Sequence, residues 1–537
     1  MPTPPPGARS AVAGLASLLT ASLLTCGCTG VQQYIHNGFK VGPNFSPPPA
    51  PLAPHWIEAG DERVRQDSDD VSQWWKVFND PVLDDLICNA YRQNLTLREA
   101  GFRILQARAQ LAIARGELFP QSQTMTAGYS RNAFSIENAN TQIPTPTGPV
   151  PLRQFFSQWD YGFNLSWELD FWGRIRRAIE ANADDLSASV ANYDDVLVTL
   201  LADVATDYVQ LRTLQKQIEY ARANADLQRE TLNVAEARFK GGIGTVGELD
   251  VDQARSTLGQ TEAEIPELEI QLQQTSDRLC VLLGMPPEAL REKLAAEAIP
   301  AAPPDAIVGV PADLLRRRPD IRRAEAQAAA QSAQIGVAEA DFYPRFAING
   351  TFGYAAEEFA DLFRSSAMDG QVGPSFEWKI LNYGRLRNNV RLQDARFQEL
   401  ATAYQQSVLN AEQEVEDGLA TFLHAQQRAK SQAESVAAAD KAVGIVIAQY
   451  KAGTVDFTRV TQVQQGLVLQ QNTLAEAQGE IALGLIQVYR ALGGGWQIRC
   501  TGCDATAAPA TSKPPLVVTL PPPPEIGHED MGAASGR

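Results

Sequence analysis

Two cysteines are the residues best placed for chemistry. Residues 11–24 form a short apolar run behind one basic residue, Arg9, and the run stops at Thr25-Cys26-Gly27-Cys28. That layout fits a secretory signal cut ahead of a cysteine whose thiol then carries acyl chains. Cys28, preceded by Gly27, meets the need for a small residue before the cut better than Cys26, preceded by Thr25. Plain secretion is the remaining reading. Each buried CH2 of an acyl chain is worth about 0.8 kcal/mol, so two or more chains hold a protein on a membrane without any spanning segment.

The other reactive side chains offer little. Cys88 and Cys280 sit on apolar helical stretches and read as buried hydrophobes. Cys500 and Cys503 form a CxxC at the start of a Pro-rich stretch, with no strand-helix context for a redox motif and no second pair for zinc. The expectation there is a disulfide or a free pair within a flexible tail. None of the four His has a partner at metal-ligand spacing, and there is no Ser-His-Asp set, P-loop or dinucleotide fingerprint. No metal, cofactor or enzymatic activity is therefore expected. The formal charge of -17 argues against a phosphate-binding nucleic-acid surface and for a polar exterior or an acidic lumen.

The elements that would position these residues are long and repeated. Residues 384–450 carry Val408, Val415, Phe422, Ala429, Val436, Val443 and Tyr450 every seven residues, with Val390, Phe397, Tyr404, Ala411, Gly418 and Ala425 as the second row. Residues 173–239 carry a similar pair of rows, headed by Leu197, Val204, Leu211 and Ile218. A sustained heptad without proline predicts one uninterrupted helix in each span, about 100 Å long at 1.5 Å per residue. A constant offset of 211 residues pairs Gly173 with Gly384, Tyr193 with Tyr404, Phe239 with Tyr450 and Gln253 with Gln464, which predicts internal duplication in one register.

Ahead of each long helix the hydrophobic period drops to two. Trp159, Tyr161, Phe163, Leu165, Trp167 and Leu169 alternate with polar residues, as do Val372, Pro374, Phe376, Trp378 and Ile380. Their expected partners are residues 121–130 and residues 346–354, the latter with Phe346, Ile348, Phe352 and Tyr354 on one face. These lengths suit strands that cross a bilayer at a tilt, with the aromatics facing lipid. No run of eighteen apolar residues exists, so a spanning helix is not expected. Four strands cannot close a barrel and an open edge in lipid leaves N-H and C=O groups unsatisfied, so several chains must share one barrel.

At their far ends the long helices break at Gly241, Gly242 and Gly244 and at Gly453, where C-cap turns lead into returning helices. Pro266 is expected to kink or restart the first return. The Pro-rich residues 39–54 read as an extended tether, and Asp80-Pro81 as a helix start.

From about Phe39 to Trp496 the chain resembles the outer-membrane factors of tripartite efflux systems, the TolC and OprM group, in their lipoprotein branch. The resemblance rests on residues 310–325 (VPADLLRRRPDIRRAE), residues 74–86, the Gly173-Arg174 and Gly384-Arg385 pairs, and Arg238-Phe239-Lys240-Gly241-Gly242 with Gln449-Tyr450-Lys451-Ala452-Gly453. It implies an α+β membrane protein: a homotrimer with a twelve-stranded transmembrane β-barrel, four strands per chain, continued by a long periplasmic α-helical barrel with a mixed equatorial region. The implied partners are outer-membrane lipid, a periplasmic adaptor and an inner-membrane pump, and the implied function is passive export of small molecules: drugs, toxic compounds or metal ions. In similar proteins polar and charged side chains on the last helix pair close the tip. Tyr450 matches the tyrosine there, Arg459 and Gln462 stand where relatives place aspartates, and Asp456, Glu248, Asp250 and Asp252 are the acidic residues nearby. A conduit for protein secretion and a pore-free coiled-coil lipoprotein are the alternatives. The expected divisions are a signal peptide (1–27), a tether (28–72), two repeats (73–285 and 312–496) around an equatorial linker (286–311), and a disordered tail (497–537).

Overall fold

In a computed structural model the structure describes residues 30–66, 71–133, 135, 142–145, 148–151, 154–242, 247–287, 290, 294 and 298–503. Cys26, Cys28, Gly244 and residues 504–537 lie outside the described residues.

The chain opens with helix α1 (Val31–His36) and the short strand β1 (Val64–Arg65), followed by α2 (Pro81–Gln93) and α3 (Leu95–Gly116). The Asp80 carboxylate caps α2 by accepting from the N-H groups of Val82 and Leu83 at 2.9 and 3.1 Å, as the Asp-Pro start predicts. Strands β2 (Ser122–Ala133), β3 (Gln142–Thr145), β4 (Gly148–Pro151) and β5 (Phe155–Leu169) come next, then the 67-residue helix α4 (Arg174–Lys240) and its return α5 (Glu248–Leu282). A short strand β6 (Ala306–Ile307) pairs in parallel with β1 at mid-height. The second half repeats the order: α6 (Leu314–Arg317), α7 (Pro319–Ala340), β7 (Arg345–Ala356), β8 (Met368–Glu377), the 68-residue helix α8 (Arg385–Ala452) and α9 (Phe457–Ala491). A last turn of helix, α10, covers Ile498–Thr501.

The heptad reading of α8 holds closely. Val408, Val415, Phe422, Ala429, Val443 and Tyr450 are buried, as are Tyr404, Ala411, Gly418 and Ala425 of the second row. Val436, Val390 and Phe397 are only half-buried. The register between the halves is not gap-free. Arg174 and Arg385 start the long helices 211 residues apart, but Glu248 and Phe457 start the returns 209 apart, and at that spacing buried Val251 matches buried Val460. The first turn carries two extra residues. Nor does Pro266 end α5, which runs through it. The proline's missing N-H costs one backbone bond, and a 35-residue helix packed along α4 absorbs that loss.

The N-terminal segment is extended but pinned along its length. Arg177, 1% exposed, donates to the carbonyls of Val41 and Gly42, and further down Ala53 and Ile57 give their N-H groups to Glu412 and Glu416 at 2.8 Å. Two of the cysteine expectations fail. Cys503 forms a disulfide with Cys88, 415 residues away, and not with Cys500; so Cys88 is no inert hydrophobe. Residues 497–503 belong to the folded body, since Ile498 is fully buried and Arg499 bonds Asp194 at 2.6 Å.

Candidate functional site

Two regions carry the functional features: the sheet at one end and the helical tip at the other. The sheet has the order β2-β5-β7-β8, antiparallel throughout. Directly opposed residues share a face, so the register sorts the side chains. One face carries Tyr129 opposite Trp159, Tyr161 opposite Tyr354, Met125 and Phe352 flanking Phe163, and Leu169, Phe346 and Phe376 in a row. Phe163, Phe352 and Phe376 are exposed on the isolated chain. The other face is polar. Ser166 donates to Asn349 at 2.8 Å and Asn349 to Ser375 at 2.8 Å, which makes a hydrogen-bonded row across three strands. Gly162 and Gly353 oppose each other there, and a Cβ on Gly162 would lie 2.8 Å from the Phe352 carbonyl. A sheet with one aromatic and one polar face is the pattern of a membrane barrel wall.

Trp378 departs from the expectation. The strand β8 ends at Glu377, and the Trp378 indole N-H donates to the Phe342 carbonyl at 2.9 Å. Trp167, on its strand, makes the matching bond to the Leu118 carbonyl at 3.1 Å. Both indoles tie the base of the sheet to the end of a helix, α3 or α7, by giving the N-H to a backbone carbonyl there.

At the tip, Ala235, Val251, Ala254, Val446, Tyr450, Phe457 and Val460 form a small core of their own. The Tyr450 ring meets Phe457 edge-on at 5.3 Å, and the Arg238 guanidinium lies 4.8 Å over the same ring. Arg238 also donates to the Tyr450 carbonyl, so a side chain from the first long helix holds the end of the second. In the sequence Arg238 belongs only to a turn motif; its partner, 212 residues on, follows from the packing of the two tips. Gly453 caps α8 with φ +76, and a Cβ there would stand 3.2 Å from Arg238. Gly241 caps α4 in a right-handed conformation and Gly242 follows at φ +63.

The charged candidates divide. Asp250 caps α5 by accepting from the Gly247 N-H at 3.1 Å, and burial together with the charge of Asp250 pushes the Tyr450 hydroxyl up. Asp252 pairs with Arg255, which also reaches Glu236. Glu248, Asp456, Arg459 and Gln462 are exposed around the two turns. Higher up, uncharged pairs bind the halves together: Gln464 to Thr231 at 3.0 Å and Asn224 to Gln471 at 2.6 Å.

Among the described residues no helix is long and apolar enough to cross a membrane, and no cluster suits a metal ion.

The family model "Outer membrane efflux protein" matches residues 86–285 and 310–494. The pyoverdine export outer membrane protein OpmQ of Pseudomonas aeruginosa is 31% identical over 488 residues, covering 90% of this chain and 97% of its own. Its namesake in Pseudomonas putida is 34% identical over 428 residues, 79% of this chain and 88% of its own. Among solved structures, the outer-membrane channel OprN is 31% identical with a TM-score of 0.77, over 85% of this chain and 99% of that one. The chain belongs to the outer membrane efflux protein family and is an export conduit, not an enzyme.

Proposed function

We propose that three copies of this chain form a passive outer-membrane conduit that exports small molecules from the periplasm. The observation that carries the reading is the four-stranded sheet, aromatic on one face and polar on the other, with β2 and β8 as open edges. Neither edge is tolerable in lipid, and pairing β8 of one copy with β2 of the next removes both. Three copies then give a barrel of twelve strands, and the long helices continue it as a periplasmic tunnel. The two halves, 73–285 and 312–496 about a linker at 286–311, derive from duplication of one unit.

Contacts between the halves support this assembly. Trp172 stacks on Tyr343 at 4.4 Å and donates to the Pro344 carbonyl. The repeat-equivalent residues, Tyr383 and Phe119, are 91% and 69% exposed, as a surface awaiting another copy would be. Likewise Ala181 and Val198 are buried in α4, whereas their equivalents Leu392 and Leu409 in α8 are exposed.

After signal removal Cys28, or alternatively Cys26, carries acyl chains. The start of α1 lies beside the base of the sheet, where Tyr34 donates to the Phe171 carbonyl, so a lipid two residues upstream of Gly30 would meet the inner leaflet. The lipid-facing residues are Trp159, Tyr161, Phe163, Trp167, Phe346, Phe352 and Phe376, with Trp378 at the margin. The turns at Gly241, Gly242, Gly244 and Gly453 dock a periplasmic adaptor, which links the conduit to an inner-membrane pump. Tyr450 holds the resting tip, while Glu248, Asp250, Asp252, Asp456, Arg459 and Gln462 supply the polar groups around its mouth.

The test is the mass of the purified protein in detergent together with conductance in planar bilayers. A trimer that conducts is expected. A monomer without conductance, even after charge substitutions at the tip, would sink the shared barrel. Mass spectrometry of the mature N-terminus tests acylation: an unmodified residue there other than Cys28 or Cys26 removes it.

A further inference from the structure

The placement of three cysteines at mid-height is left over by the export function. Cys88, half-buried on α2, is bonded to Cys503 just beyond α10. Cys500 is an exposed free thiol one helical turn before Cys503. Cys503 reaches Cys88 across the meeting of α10 with α2, and Cys500 sits on α10 itself, so all three sulfur-bearing residues gather at one end of the contact between these helices. Non-covalent bonds already hold α10 there. Arg499 donates to fully buried Asp194 at 2.6 Å, the Trp496 indole N-H to the Arg317 carbonyl at 3.1 Å, and Arg322 stacks over Trp496 at 4.9 Å. The last turn therefore docks without help from the disulfide, and docking brings Cys503 to Cys88.

We propose that Cys88, Cys500 and Cys503 form an intramolecular thiol-disulfide relay, in which a local Cys500–Cys503 bond is made first and then exchanged for the Cys88–Cys503 bond. The order follows from loop closure. Two thiols separated by two residues meet far more often in an unfolded chain than two separated by 415. In the first step a disulfide oxidant of the periplasm is reduced to its dithiol, and Cys500 and Cys503 lose two hydrogens and form the bond. In the second, after α10 docks, the Cys88 thiolate attacks the Cys503 sulfur. The Cys500–Cys503 bond breaks, and Cys500 leaves as a thiolate and takes up a proton in place of the one Cys88 released. The exchange needs no further oxidant. Exposure of Cys500 suits a leaving thiol that ends in solvent, and burial of Cys503 to 7% shields the product. The product clasps α10 to α2.

Full-length protein from outer membranes, alkylated before digestion without reductant, should yield a Cys88–Cys503 linked peptide and an alkylated Cys500. Absence of that link overturns the proposal. Cys88→Ser should stop the relay halfway, giving a C-terminal peptide short of two hydrogens with Cys500 joined to Cys503. Free thiols at both positions in that variant overturn the local first step. In pulse-chase oxidation Cys500→Ser should slow formation of the Cys88–Cys503 link on the order of tenfold, and an unchanged rate overturns the relay. If Cys500→Ser accumulates poorly, the Cys88→Ser peptide decides alone.

Discussion

Arg238 and Asp184 show how single side chains tune the two ends of the helical body. Arg238 bridges the repeats at the tip by stacking on Tyr450 and bonding its carbonyl. Arg238→Ala removes a partly desolvated cation–π contact and a hydrogen bond, together about 1–2 kcal/mol. The expected outcome is higher conductance in planar bilayers and faster amide exchange around Tyr450; a variant with wild-type conductance and exchange would show that the tip is held elsewhere. Near the sheet, burial, then the charges of Glu180 and Asp185, push the Asp184 carboxyl up to about 6. A carboxyl whose folded pKa is raised above its unfolded value of 3.8 favours the folded state fully below that value, and the benefit is lost as pH rises through about 6. Asp184→Asn should therefore raise stability at neutral pH, by roughly 1 kcal/mol after allowing for solvent screening, and flatten the pH dependence of thermal unfolding between about pH 4 and 6. An equal slope in both proteins would assign it to another group.

The strands and long helices are the elements where sequence pattern and structure agree best, because one physical demand writes the pattern in each. Apolar and polar residues alternate along β5, and its register against β7 places Phe163 opposite Phe352 and Asn164 opposite Thr351, as the period-two reading requires. Phe352→Lys puts a charge on the aromatic face and should cost about 2–4 kcal/mol per chain near the bilayer middle. Thr351→Lys, one residue away on the polar face, should be nearly neutral. Heat-modifiable mobility on gels after refolding into vesicles distinguishes them, and equal losses in the pair would mean that this face does not meet lipid. Where two elements abut, the pattern was silent. The slip from 211 to 209 sits in the turn between α4 and α5, where no buried period constrains the count. Trp378 continues the alternation of β8 but leaves the strand because its indole N-H finds the Phe342 carbonyl.

For the whole molecule, what could not be read from the chain is long-range pairing. Proline content shows that residues 39–54 cannot be helix, yet only the structure reveals Glu412 and Glu416 accepting from the N-H groups of Ala53 and Ile57. The cysteine pairing is hidden in the same way, since CxxC spacing carries no information about Cys88. One long-range contact can nevertheless be inferred from another. If the assembly repeats between chains what one chain does between its halves, Tyr383 occupies against the next copy the place Trp172 occupies against Tyr343 and Pro344. Its partners are then Phe119 and the Pro120 carbonyl. Such a ring buries two aromatics that are exposed on the single chain, a gain of about 1.5–3 kcal/mol for each fully buried side chain. A photo-reactive benzophenone amino acid at position 383 should cross-link to the peptide containing Phe119 of another copy, giving dimer and trimer bands on denaturing gels. Tyr383→Asp should weaken the trimer in detergent without altering the secondary structure of the monomer. Cross-links confined to one chain, or to a peptide far from Phe119, would mean that the copies meet by a geometry unlike that between the halves.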